Sequence, residues 1–380
     1  MDTKVKLLEG DPAEPEGEDY DLDEAMPRLQ VTRRGLVLGA VFVVSAVAFL
    51  YLVLPQLADL KEQGEQVGEG NRSWLAVAFV LTLASFGGYV MMFQGIFVRE
   101  GTSAGGRINW RASYQITMAG LAATRLFAAG GAGGIALTAW ALRRAGMPRR
   151  EVADKTLAFL ILTYAVYMAA LVVCGFGLYF DLLPGPSPFA ITVIPALFAL
   201  TAIAVALGLA RVPTDLQRRL EGFAHRGGRM ARFGQRLANA PAAFSTGIRE
   251  ALCHVRERDP ALLGAVAYWG FNIGVLWACF HAFGDPPPTA ALVMGYFVGF
   301  LGNLLPLPGG IGGVDGGMIG AFVAFGVPLP LVVPAVLAYR GFTFWLPTIP
   351  GAIAYLQLRR TVARWRDERR RGEIAATAGA

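Results

Sequence analysis

Six long apolar stretches dominate this chain: Gly35 to Leu54, Trp74 to Val98, Val152 to Phe180, Ala190 to Ala210, Ala261 to Phe283 and Leu331 to Leu358. Each reaches the ~20 residues that an α-helix needs to cross ~30 Å of hydrocarbon. With 54% hydrophobic and only 16% charged residues, the chain is too apolar for a soluble domain of this length. The reading is an all-α polytopic membrane protein with six full transmembrane helices.

Arginine and lysine in short connections mark the cytoplasmic side. Basic connections are Arg28 to Arg34, Arg99 to Arg111, Arg143 to Arg150, Arg211 to Arg258 and the tail after Arg359. Pro55 to Ser73, Asp181 to Pro188, Gly284 to Thr289 and Gly326 to Pro330 are poor in basic residues and belong outside. Both termini are therefore expected in the cytoplasm of a multi-pass protein of the cell membrane. Residues 1–32 form an acidic cytoplasmic N-terminus with the composition of disorder, and no cleavable signal peptide is expected ahead of the first span.

Two segments do not fit the simple count. Residues 112–142 begin and end beside arginine-rich connections, whereas residues 290–325 begin and end beside uncharged or acidic ones. About 31 helical residues cover only ~46 Å, less than the ~60 Å of two crossings. Both segments are therefore expected to be re-entrant helical hairpins, the first entering from inside and the second from outside. Each is broken near its middle by glycines, Gly130, Gly131, Gly133 and Gly134 in the first and Gly309, Gly310, Gly312 and Gly313 in the second, the latter preceded by Pro306 and Pro308. Irregular backbone at membrane depth is tolerated only where protein or a water-filled cavity surrounds it, which marks these breaks as the candidate site.

The glycine clusters also match one another at an offset of about 180 residues, and the match continues through Gly146-Met147-Pro148 and Gly326-Val327-Pro328. Hairpins of opposite entry in matching positions describe an inverted repeat. The first membrane repeat is placed at 33–180 and the second at 190–358, interrupted by a basic, amphipathic cytoplasmic insertion at 212–259 and followed by a basic cytoplasmic tail at 359–380. Apolar residues at helical spacing in the insertion (Leu216, Leu220, Phe223; Met230, Phe233, Leu237), and Trp365 in the tail, suit segments lying on an anionic leaflet.

Helix N-termini that start after the glycines would aim free N–H groups toward the bilayer midplane, where anions are attracted. Arg125 stands just before the first cluster in an apolar run and is the first choice for gripping a phosphate; its structural alternative is an ion pair, with Asp315 as the candidate partner. Asp315 could pair with an arginine, carry a coupling proton or cap its own helix. Arg340 faces the choice between a substrate anion and a protein carboxylate, and Asn303 and Tyr339 are weaker candidates, Asn303 being as suited to bridging helices. The cysteines Cys174, Cys253 (in the basic loop) and Cys279 and the histidines His225, His254 and His281 show no disulfide or metal spacing, so no metal and no cofactor are expected.

The stretch Asn303 to Pro328, NLLPLPGGIGGVDGGMIGAFVAFGVP, with Tyr339-Arg340 and Phe344-Trp345-Leu346-Pro347 beyond it, resembles the signature of the lysylphosphatidylglycerol synthase transmembrane-domain family, also called flippase-like. The resemblance covers most of residues 33–360, with GGAGGIALTAWALRRAGMP as its weaker counterpart in the first half. It implies movement of lipids such as aminoacylated phosphatidylglycerol. The family commonly carries Glu where this chain has Asp315. Members that synthesise lysyl-lipid add a soluble aminoacyltransferase domain, of which the short tail here holds nothing, so no enzyme activity is expected.

The leading expectation is a transporter translocating an anionic phospholipid or lipid-linked envelope intermediate by alternating access. The alternatives are a proton-coupled transporter of a small hydrophilic solute and a non-transporting scaffold for cell-envelope enzymes. Expected partners are anionic membrane lipids, with envelope biosynthesis enzymes under the scaffold reading, and no nucleic acid.

Overall fold

The computed structural model describes residues 71–98, 106–126, 132–211, 247–257, 259–304, 310 and 312–378, and every regular element among them is helical. In chain order these are α1 (Arg72–Phe97), α2 (Trp110–Leu126), α3 (Ala132–Arg144), α4 (Arg149–Tyr179), α5 (Phe189–Ala210), α6 (residues 247–256), α7 (Pro260–Phe283) and α8 (Thr289–Phe300) with a 3₁₀ turn at Leu301–Leu304. There follow α9 (Gly313–Ala324), α10 (Leu329–Arg340), a π turn at Gly341–Trp345 and α11 (Thr348–Ala378).

Five units are long and apolar enough to cross a membrane: α1, α4, α5, α7 and the composite of α10, the π turn and α11. They coincide with five of the six expected spans; the sixth, Gly35 to Leu54, lies outside the described residues, as do residues 1–32 and 212–246. Helices α2, α3, α8 and α9 hold 17, 13, 12 and 12 residues. At 1.5 Å per residue they are roughly 18 to 26 Å long, short of a full hydrocarbon crossing.

The centre of the bundle is the antiparallel pair α1 and α7. The Asn71 N–H donates to the Ala282 carbonyl at 2.9 Å, joining the start of one helix to the end of the other. Further along, a Cβ on Gly88 would stand 2.8 Å from the backbone nitrogen of Tyr268, and one on Gly95 2.8 Å from that of Ala261. No side chain fits at those separations, so glycine is what lets the two backbones touch, the usual device where lipid supplies no hydrophobic drive. Each helix also opens on a cap: Asn71 Oδ1 accepts from Ser73 N–H at 3.0 Å, and Asp259 Oδ1 from Ala261 N–H at 2.9 Å beside Pro260.

On either side of this pair the chain follows one plan twice: a long helix, a helical hairpin, then another long helix. In the first hairpin α2 and α3 run antiparallel, with Gly120 against Thr138 and Gly134 against Thr124. In the second, α8 and α9 meet at Gly295 and Phe322, Gly299 and Met318, then Gly302 and Gly313. Both hairpins leave through the same turn. Gly146 (φ 103°) and Gly326 (φ 82°) adopt the left-handed conformation, Met147 N–H reaches back to Leu142 O at 3.1 Å, and Val327 N–H to Phe322 O at 3.0 Å. This Schellman pattern stops α3 and α9, and Pro148 and Pro328 then start α4 and α10. Each hairpin also leans on a long helix of the other half: Gly351 of α11 lies against Met118 and Ala122 of α2, and Tyr167 of α4 donates to the Phe297 carbonyl of α8 at 2.6 Å.

The two hairpins open at opposite ends of the bundle. At one end Lys155 Nζ donates to Ile96 O (2.7 Å), Arg107 Nη1 to Ala145 O (3.3 Å) and Arg249 Nε to Ala210 O (2.9 Å). These cations sit on the C-terminal carbonyls of α1, α3 and α5, where the helix dipole favours positive charge. At the other end the chain turns through Gly185 against Pro288, and Gly284 against Leu331.

Three expectations need correction. Cys253 stands in helix α6 rather than in a loop, and α6 packs Gly247 on Leu157 and Ile161 of α4. The tail is not a separate segment: α11 runs unbroken to Ala378, because its alanines, arginines and glutamates are good helix formers. Trp365 is 6% exposed and packs inward rather than on a leaflet surface. The apolar faces expected at Leu216 to Leu237 lie outside the described residues.

Candidate functional site

The second glycine break ends in a tight turn. Gly312 (φ 82°) is the N-cap of α9, and Asp315, three residues later, accepts the Gly312 N–H on Oδ2 at 2.9 Å. The carboxylate thus satisfies one orphan donor and faces the positive end of the helix. Its other oxygen, Oδ1, lies 2.5 Å from Nε of Arg340, at ion-pair distance but without the angle of a hydrogen bond. The side chains are 4% and 12% exposed, so this is a buried charge pair.

Arg340 ends α10, directly before the π turn, and its guanidinium carbon lies 4.8 Å from the centroid of the Phe344 ring. A cation over an aromatic face gains further attraction in a dry setting. The extra residue of the π turn re-aims the helix here; Leu346 N–H bonds to Gly341 O at 3.0 Å, and Thr343 Oγ1 to Tyr339 O at 2.9 Å. Such single-turn π elements recur at functional positions. Below the pair, Tyr339 Oη donates to Tyr296 Oη at 3.1 Å, both rings being 1% exposed. Tyr296, Phe297, Trp269 and Phe300 stack edge-on into an aromatic floor.

The structure therefore joins two of the sequence candidates, Asp315 and Arg340, and assigns Asp315 a cap and an ion pair at once. The partner of Asp315 is Arg340. The backbone of Arg125 belongs to the last turn of α2, while its side chain lies outside the described residues, as do Gly130, Gly131 and Gly309. Gly133 and Gly134 fall inside the first turns of α3, and Gly313 opens α9, so the returning helices begin within the glycine clusters rather than after them. At Gly134 a Cβ would collide with Thr124 Oγ1 and the Gly120 carbonyl. Gly310 (φ 67°) is buried against Asn303 Oδ1, so Asn303 packs on the break from the 3₁₀ turn. Tyr339, a weaker candidate in the sequence, lies beside the pair, whereas Tyr296 and the π turn carried no signal that marked them as site elements.

Among the described residues, no group of three or more His, Cys, Asp or Glu side chains comes together around a possible metal position. His254 instead pairs Nδ1 with Asp259 Oδ2 at 3.1 Å, beside the N-cap of α7.

Two matched stretches tie the chain to known proteins. Over 112 residues it is 32% identical to a UPF0104 membrane protein of Methanothermobacter thermautotrophicus, covering 29% of this chain and 32% of the relative. A second match to a protein of that description in the same organism is 38% identical over 79 residues, 20% of this chain and 24% of the relative. The matched stretches thus span at most about a third of the relatives' length. The model of the lysylphosphatidylglycerol synthase transmembrane region matches residues 36–351, in agreement with the membrane-spanning helices and the glycine-broken hairpins, and this multi-pass membrane protein belongs to that family.

Proposed function

We propose that the protein is a flippase-like transporter, not an enzyme, that carries an anionic phospholipid or lipid-linked envelope intermediate across the cell membrane by alternating access, with both termini in the cytoplasm. The observation that carries this reading is the buried Asp315–Arg340 pair at the mouth of a glycine break. We read the two hairpins as half-crossings of an inverted repeat, entering from opposite faces, with their broken tips lining a midplane site. Their short helices and their exits at opposite ends of the bundle support that reading.

In this scheme Asp315 is a built-in stand-in for substrate. Its carboxylate occupies Arg340 while the site is closed, so that no bare charge is buried. An entering phosphate offers the guanidinium two parallel hydrogen bonds and displaces the carboxylate. Asp315 remains stabilised after release, because Oδ2 keeps the Gly312 N–H and the α9 dipole. Arg125, next to the first break, would serve the headgroup in the opposite half of the cycle. Acyl chains stay in the bilayer throughout while the halves rock about α1 and α7.

The test is movement of a fluorescent anionic phospholipid between leaflets of proteoliposomes. Arg340→Ala and Arg125→Ala are each expected to lower the rate at least about tenfold, the scale of one lost charge-assisted hydrogen bond. Rates equal to the parent in both variants would remove the headgroup role. Because Asp315 is a buried carboxylate, proton-coupled solute transport remains the second reading; it predicts that Asp315→Asn abolishes dependence on a pH gradient.

A further inference from the structure

Away from the Asp315–Arg340 pair, a cavity of about 200 Å³ opens between the start of α2 and the middle of α11, at the arginine-rich end of the bundle. Three guanidinium groups, Arg107, Arg111 and Arg364, line it against a single carboxylate, Glu368. Its floor is polar and closed to solvent: Gln115 is 1% and Thr361 7% exposed. Thr361 Oγ1 donates to Gln115 Oε1 at 2.8 Å and accepts from Arg364 Nη2 at 3.3 Å. The Gln115 amide reaches Gln357 Oε1 only at 3.5 Å, the far limit of a hydrogen bond, so its N–H groups remain underused. Donors converge here from the three guanidinium groups of the walls and from the Gln115 amide of the floor, which Thr361 holds in place. An acceptor-only, negatively charged group satisfies such a surface.

Size and place narrow the ligand. The volume is below the ~300–1,000 Å³ of pockets that enclose whole drug-sized molecules, yet it holds roughly six water volumes. A phosphate with part of its ester fits; a large soluble substrate does not. The cavity also lies where α11 changes from apolar to arginine-bearing, just past the buried Leu358, with Trp365 in its wall and the outward-facing Trp110 beside it. Tryptophan and arginine at that level mark a membrane–water interface, and basic pockets between helices there suit lipid headgroups.

We propose that this cavity is a second binding site, for the phosphate of an anionic membrane lipid, which seats the headgroup between α2 and α11. It stands apart from the translocation reading, because neither Arg125 nor Arg340 belongs to it.

The full chain, purified in mild detergent, is titrated with phosphatidylglycerol, with diacylglycerol and with inorganic phosphate, and binding is followed by native mass spectrometry. Arg111→Gln/Arg364→Gln is expected to weaken phosphatidylglycerol binding at least about tenfold. Diacylglycerol binding should not change. Arg359→Gln/Arg360→Gln removes the same charge outside the cavity and should have little effect; equal loss in both double variants would mean diffuse surface attraction and would overturn the site. Inorganic phosphate that competes as tightly as the lipid would overturn the lipid source. Thr361→Val, which removes a floor hydroxyl and leaves the net charge unchanged, should also weaken the phosphatidylglycerol complex, and an unaltered complex would count against the assigned floor.

Discussion

The two hairpins share a backbone plan and differ in what holds them. The first is bonded through side chains: Gln94 Nε2 donates to Ser113 Oγ at 2.7 Å, and Thr361 to Gln115, with Ser113, Gln115 and Thr117 all buried along α2. The second is packed on itself through apolar contacts, Phe297, Met318 and Phe322 each being fully buried, and its side-chain bonds to other helices come from tyrosines and, at Asp315, from Arg340. Repetition of the fold therefore requires only the positions where backbones touch or turn, the glycines and prolines. Chemistry between them is free to diverge, and among the described residues the buried pair of Asp315 and Arg340 lies in the second half.

The charge pair offers the largest lever on the comparison. Arg340→Ala leaves Asp315 buried without its cation and should destabilise the protein by about 3–5 kcal/mol. Arg340→Ala/Asp315→Ala should recover part of that loss, since no bare charge then remains. Equilibrium unfolding of the detergent-solubilised protein measures both; strictly additive losses would mean that the two residues do not interact. The glycine contacts test whether the hairpins are equally tight. Gly302→Ala drives a Cβ into the backbone of Gly313, and Gly134→Ala into that of Gly120, so each should cost about 1–3 kcal/mol by overpacking. Gly316→Ala and Gly320→Ala meet open space in α9 and serve as controls of the opposite sign. The smallest effect belongs to Tyr339→Phe, which removes one hydroxyl contact to Tyr296 and should cost about 0.5–1.5 kcal/mol in the same assay.

Much of this architecture is written in local signals. Five spans could be read from apolar length alone, and the interruption between the short helices from glycine density, because each of these acts on the backbone where it occurs. The match of Gly146-Met147-Pro148 with Gly326-Val327-Pro328 was legible for the same reason: a Schellman turn demands glycine at one position. Pairing was not legible. Asp315 offered no partner of its own in the sequence, and only the path of α10 into its π turn brings Arg340 to it. The polar cavity depended on Gln115 and Thr361, distant in sequence and ordinary as residue types, meeting across two helices. The helical tail was hidden because an arginine-rich segment reads as a topology signal before it reads as a helix.

The central claim, that the hairpins open toward opposite faces of the membrane, is tested most directly by sided thiol labelling. With Cys174, Cys253 and Cys279 replaced by serine, single cysteines are placed by Gly106→Cys, just before α2, and Asp285→Cys, just before α8. Impermeant maleimide applied to intact cells should label the cysteine at position 285 and leave that at 106 untouched until the cytoplasmic face is opened. Labelling of both from the same side would contradict the inverted arrangement and the transport cycle built on it.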